Sequence, residues 1–258
     1  ITDSSYAALM TAKFDVNKTL AFWTPERMKS AKPLMPKNIG FRNKTRSGAK
    51  NAKIMVDDDD QTLSMDPFDN PNNPLNYPIG MLFFSDPETG EPQVCTASVF
   101  NTENGNIGMT AAHCLFNDDG IQFNNIAFSP GFDDPDGFTL QQYTGANGWR
   151  LGLEDDNIVT TVFGYPQNGD MPDCPKDGFH LCVMVNTVER RDTEYVIPGV
   201  NLGDGVSGAP WTIEHDPNRN LGYMYGNHAF YNTEENQSES TRYNPEDFND
   251  LLEYVSEN

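Results

Sequence analysis

Three things are scarce or missing in this chain of 258 residues, and each narrows its class. No apolar run approaches the roughly 18 residues that a membrane-spanning helix needs, so no such helix is expected. Basic residues are scarce beyond residue 56. Residues 57–258 carry six Lys/Arg against thirty-five Asp/Glu, a net −29, whereas residues 1–56 carry eleven against three, a net +8. A body that acidic repels nucleic acid and anionic lipid, so neither is expected as a partner. Cysteines are few: Cys95, Cys114, Cys174 and Cys182 form two local pairs, spaced by nineteen and eight. Zinc is the rival reading, but zinc sites favour shorter knuckles, so the pairs suggest two disulfides and an oxidising compartment.

Neither an internal repeat nor a signal peptide is visible, though a leader removed earlier is compatible with a secreted, extracellular protein. Sequons at Asn17, Asn43 and Asn236 are compatible with secretion and with a glycoprotein. The length allows one large domain or two small ones with ample core.

Along the chain, residues 1–56 are polar. Thr24-Pro25-Glu26-Arg27-Met28 reads as a helix start, with Thr as N-cap and Pro at the first helical position, stopped by Pro33 and Pro36. Segment 37–53 looks like an exposed linker, Asp57–Asp60 like a solvated acidic run, and 66–78, with four prolines, like a boundary. From Ile79 the texture changes to short apolar runs separated by Gly/Asn/Asp/Pro turns. Runs at Ile79–Phe84, Val94–Phe100, Gly105–Ala112 and Ile121–Ser129 are expected strands. So are Ile158–Tyr165, His180–Val188, Thr193–Ile197, Ala209–Ile213 and Gly222–His228. This pattern predicts an all-β barrel or sandwich, closed by a C-terminal helix from Asn244-Pro245 to Val255.

Two stretches carry chemistry. Thr110-Ala111-Ala112-His113-Cys114 sets a histidine beside a cysteine whose pairing with Cys95 would pin the backbone there, as suits a general base. Alone, such a histidine is more often a packed strand end. Gly203-Asp204-Gly205-Val206-Ser207-Gly208-Ala209-Pro210 flanks a serine with glycines. In that setting the amides of Gly205 and Ser207 are candidates to hold an oxyanion, and His113 is the candidate base for Ser207. Alone, this stretch reads as a Gly-rich turn with a bystander serine.

Together the two stretches resemble the histidine and Gly-x-Ser-Gly-x-Pro boxes of trypsin-like (chymotrypsin-fold) serine proteases. Cys95 with Cys114 is similar to that family's histidine-loop disulfide. Phe163-Gly164-Tyr165-Pro166 resembles the start of the second barrel in secreted bacterial and fungal members, near the glutamyl endopeptidase-like branch. Trp23-Thr24-Pro25-Glu26-Arg27-Met28 with Ala31-Lys32-Pro33 resembles the leader of some of them. The resemblance implies two six-stranded antiparallel β-barrels with a cleft between them. It casts His113 as general base, Ser207 as nucleophile, and the amides of Gly205 and Ser207 as the oxyanion hole. It implies a basic leader and linker at 1–75, a first barrel at 76–140, and a second barrel with the C-terminal helix at 141–258. Neither cofactor nor metal is expected, the partner is a protein or peptide substrate, and the chain is expected to be a monomer.

The chain departs from the family at the third member of the triad. Only seven residues separate Gly131 from Thr139, where the family places an Asp-bearing hairpin. Either the hairpin is deleted from the first barrel or residues of the natural chain are missing between Gly131 and Thr139; both are favoured over the third reading, in which Asp133, Asp134 or Asp136 reaches the imidazole from a rebuilt loop, and Asp155 and Asp156 come too late. Asn201, six positions before Ser207, argues against a preference for Arg or Lys in the substrate. His228 falls near where glutamyl endopeptidases bind an acidic side chain, so Glu or Asp before the scissile bond is expected. His180 and His215 read as surface or structural. Residues 1 to about 65 read as a propeptide or docked leader (a zymogen), or as a permanent part of the domain. The reading is a secreted serine endopeptidase. Its rivals are a catalytically impaired homologue that binds a partner through the cleft, and an esterase.

Overall fold

A computed structural model describes residues 16–34, 64–70, 76–130, 142 and 144–257. The linker at 37–53, the Asp57–Asp60 run and the Gly131–Thr139 connection lie outside these residues.

The chain opens with α1 (Val16–Phe22), α2 (Pro25–Ser30) and β1 (Lys32–Pro33). Thr24 caps α2 by accepting the Arg27 amide, with Pro25 at its first turn. Then come β2 (Ser64–Met65), β3 (Ile79–Ser85), β4 (Pro92–Val99), β5 (Gly108–Met109), β6 (Asn124–Ser129) and β7 (Gly148–Arg150). The first sheet runs β1-β4-β3-β6, with β5 also on β4. Every residue of β3 is buried. Leu82 and Phe84 face a cluster with Cys95, Ala97, Cys114 and Phe123. Met81 and Phe83 face the other way, onto Trp23, Ala31 and Val94. An unbroken apolar strand of this kind needs cover on both sides. The N-terminal segment supplies the outer cover.

The second unit is formed by β8 (Asn157–Gly164), β9 (Cys182–Arg190), β10 (Glu194–Pro198), β11 (Pro210–Asp216), β12 (Leu221–Asn232) and β13 (Gln237–Thr241). Their order β11-β8-β9-β10-β13-β12 closes on itself through β11–β12, and every pairing is antiparallel: a closed six-stranded barrel. Its core holds Ile158, Val162, Val188, Ile197, Leu202, Val206, Trp211 and Tyr225. β9 alternates between core and solvent, as a barrel wall with one wet face does.

The C-terminal helix α3 (Pro245–Glu257) starts where Asn244 Oδ1 accepts the amides of Glu246 and Asp247. Its Phe248 packs with Phe100, Ile107 and Met109 of the first unit and with Trp149, Leu151 and Met224 of the second, so it seals one side of the junction. No described helix is long and apolar enough to cross a membrane.

Candidate active site

β4 leads the first unit into the junction. After β5 the chain leaves the sheet and turns through a short 3-10 helix, Ala112–Cys114, which carries His113. The Cys95–Cys114 disulfide, with Cα atoms 6.2 Å apart, ties this turn back to β4. The second disulfide, Cys174–Cys182, closes a loop at the start of β9. With Cys95 and Cys114 bonded to each other, their sulfurs beside His113 are not free to hold a metal.

The loop bearing Ser207 is fixed by its own carbonyls. Asp204 O accepts from the Gln167 amide at 2.9 Å, and Val206 O from the Ala209 amide at 2.8 Å. Thr96, fully buried on β4, donates its Oγ1 to Gly205 O at 2.8 Å and its amide to Ser207 O at 2.9 Å. Gly203, Gly205 and Gly208 all have positive φ, at 101°, 94° and 83°. A Cβ on Gly205 would strike the Tyr165 carbonyl oxygen. One on Gly208 would strike Thr110 Oγ1 and the Thr96 carbonyl oxygen, and would lie 2.8 Å from the Ala111 amide nitrogen. The residue after the serine is thus pressed against the chain two residues before His113, which brings the two sequence boxes together. Val206, between the two amides of interest, is sunk into the barrel core against Gly164.

Each carbonyl from Gly203 to Ser207 accepts a hydrogen bond, yet among the described residues the amides of Gly205 and Ser207 donate none. Because the carbonyls of Asp204 and Val206 are held, the N–H groups on the far side of the same planar peptides are held too. Two fixed, unused donors beside a serine are what an oxyanion hole requires.

His113 Nε2 is buried without a partner, and no hydrogen bond joins it to Ser207 or to a carboxylate among the described residues. Burial drives the imidazole pKa down to about 4, against a smaller upward pull from Asp118. Asp133, Asp134 and Asp136 fall outside the described residues.

His228 lies on β12, 2% exposed, stacked on Trp211 with planes 9° apart. Its backbone pairs with the nucleophile loop: Gly208 N donates to His228 O, and His228 N to Ala209 O, both at 2.8 Å. Burial first, then repulsion from His113, lowers its pKa to about 3, with the Glu239 backbone pulling the other way; Nδ1 has no partner. Asn201 shapes the approach to the serine. Its Oδ1 accepts from the Gly203 amide at 2.9 Å, and its backbone pairs with Asp170. His180 is exposed and bonded to Asp177, while His215 packs edge-on against Phe163.

Sequence reasoning passed over Thr96 and Thr110. Thr110 Oγ1 donates to Thr96 O at 2.8 Å, so the two threonines link the histidine segment to the serine loop. No local signal marks Thr96, since β4 also carries Gln93 and Ser98.

The closed barrel, the sheet before it and the terminal helix are the fold of chymotrypsin-type serine proteases. Among solved structures the chain is similar to AL20, a thermostable serine protease from an extremophilic microorganism. The TM-score is 0.57 at 19% identity, over 71% of this chain and 99% of that one. It is also similar to the protease Anisep from Arthrobacter nicotinovorans, with a TM-score of 0.51 at 19% identity, over 69% of this chain and 92% of that one. No family model and no curated protein matches the sequence.

Proposed function

We propose that the chain is a secreted serine endopeptidase working through an acyl-enzyme on Ser207. The observation that carries this reading is the pair of fixed, unused amides at Gly205 and Ser207, built into a loop that Thr96 and Gly208 lock against the His113 turn. Ser207 Oγ attacks the scissile carbonyl and hands its proton to His113 Nε2. The carbonyl oxygen, now an anion, takes the two amide N–H groups. His113 returns the proton to the departing amine, and water repeats the cycle on the ester. At neutral pH burial keeps His113 unprotonated, which is the form a base needs.

The substrate is a protein or peptide. Glu or Asp before the scissile bond is supported by His228, whose buried Nδ1 has no partner among the described residues. A peptide library cleaved after Phe, Leu, Lys or Arg and not after Glu refutes that preference. The two disulfides support an oxidising, extracellular setting.

Hydrolysis of an unlabelled protein substrate by the wild type and by Ser207→Ala tests the main reading. Ser207→Ala is expected to lose activity by about 10⁴-fold or more while keeping its fold. Equal activity in both refutes Ser207 as nucleophile. A second reading, a non-catalytic homologue that binds through the cleft, is favoured by one observation: no carboxylate among the described residues bonds His113. Peptide binding without turnover in the wild type supports it.

A further inference from the structure

Residues 16–34 are not a loose tail. Trp23, between α1 and α2, is 7% exposed and donates Nε1 to Asn125 O at 2.5 Å. With Ala31 it covers Met81, Phe83 and Val94 on the outer face of the first sheet. This anchor delivers an extended end. β1 runs beside β4, with Lys32 opposite Gln93 and Pro33 opposite Val94, and the Leu34 amide donates to Val94 O at 3.1 Å.

That end lies between the two halves of the site. Leu34 packs on the cluster that holds Ala111 and the Cys95–Cys114 disulfide, which ties the turn bearing His113 to β4. Pro33 Cβ lies 3.6 Å from where a Cβ on Gly205 would sit. A substrate carbonyl held by the Gly205 and Ser207 amides leaves its acyl half along the second barrel. The departing half must cross His113 to collect its proton, and so heads toward the disulfide and the outer rim of Gly205. Pro33 and Leu34 already stand there, in extended form, using the β4 carbonyl that an incoming chain would pair with.

We propose that residues 16–34 are an autoinhibitory strap whose end, Pro33-Leu34, occupies the leaving-group side of the cleft, clamped from outside by Trp23. This rests on the assignment of Ser207, His113 and the two amides given above. The strap excludes substrates that extend beyond the scissile bond. It leaves free the acyl side, the serine and the oxyanion donors. A small activated ester therefore reacts in the intact chain, and an extended peptide does not. The strap is tethered at high local concentration, so the same sequence supplied as a free peptide needs roughly millimolar amounts to act.

The test uses the full chain, Trp23→Ala, and Leu34→Asp, the last of which keeps the anchor in place. Two substrates are compared: an activated ester with a small leaving group, and a peptide carrying several residues after the scissile bond. In each variant, kcat/KM for the peptide is expected to rise about tenfold or more relative to that for the ester. A synthetic peptide of residues 16–34 is expected to reverse the gain competitively. An unchanged ratio in both variants overturns the proposal, because the strap then lies outside the substrate's path. A parallel fall in both substrates with the protein still folded also overturns it, making the strap a brace. If no form turns over the ester or labels with a fluorophosphonate, the protease reading fails and the strap proposal with it. An ester-active chain with an unchanged ratio sinks the strap alone.

Discussion

At the scale of single residues, the site depends on Thr96. Its hydroxyl and its amide hold the carbonyls of Gly205 and Ser207, which alternate along the loop with the Asp204 and Val206 carbonyls held by Gln167 and Ala209. Thr96→Val keeps the shape and removes the bond to Gly205. It is expected to lower kcat by about 10- to 100-fold with KM little changed, because the loop that carries the oxyanion donors loses one of its ties to β4. Steady-state kinetics on an ester substrate checks this. Gly208→Ala should be far worse. Its Cβ meets backbone and Thr110 on one side, and φ of 83° strains any side chain. A loss of several kcal/mol in denaturant unfolding is expected, on the order of that seen for overpacked cores.

The two buried histidines give the stability a pH dependence with a definite sign. Burial holds His113 at about 4 and His228 at about 3, below the ordinary value. Above about pH 6.5 both rings are neutral folded or unfolded, and nothing changes. As pH falls below that, the unfolded chain gains protons that the folded chain refuses, so stability drops until the folded rings themselves titrate. Each ring contributes up to about 1.4 kcal/mol per pH unit across that window. Denaturant midpoints at pH 7, 6 and 5 should fall in turn, and His228→Leu should flatten the trend. A flat profile in the wild type refutes the burial of both rings as neutral groups.

At the scale of elements, β4 is the shared beam. It pairs with β1, β3 and β5, bonds the nucleophile loop through Thr96, and anchors the histidine turn through Cys95. Replacing Cys95 and Cys114 by Ala opens a loop of nineteen residues and should cost about 3 kcal/mol of stability. Thermal melts under oxidising conditions would show it. Residual activity in the folded variant then measures how far the disulfide alone positions His113.

Which elements the sequence revealed follows from what their residues do. β3 and β4 were legible because their apolar runs line a core. So was α3, with its Asn244 cap and Phe248. β13 was not legible: Gln237, Ser238, Glu239 and Ser240 are all buried yet polar. Partners elsewhere in the fold satisfy the first three, Arg191 on Gln237, Asn232 on Glu239, and Val200 and Leu202 on Ser238, and no local pattern announces such partners. The expected strand at Gly105–Ala112 shrank to Gly108–Met109, because the chain must leave the sheet to turn His113 toward the junction. α1 was missed because Val16–Phe22 is short and mixed; it is placed by contact with β6. In the candidate site, the His113 and Ser207 boxes stood out because their local chemistry is unusual. Thr96 and Thr110 did not, since their work is contact across more than a hundred positions or across a sheet.

At the scale of the whole molecule, the sheet before the closed barrel is tied to it where Thr96 and Thr110 bond across the serine and histidine segments, and Phe248 of α3 packs on residues of both units. The uneven charge, +8 over residues 1–56 against −29 beyond, gives a further handle on how the N-terminal segment docks. Raising ionic strength should weaken that attraction and leave the apolar clamp at Trp23 in place. Salt should therefore shift peptide turnover less than Trp23→Ala does.

The most direct test of the central claim is fluorophosphonate labelling of the intact chain, with the adduct mapped by peptide mass spectrometry. A single adduct on Ser207 is expected, absent in Ser207→Ala and slowed strongly in His113→Ala. No adduct, or one formed at another residue at the same rate in Ser207→Ala, would contradict it.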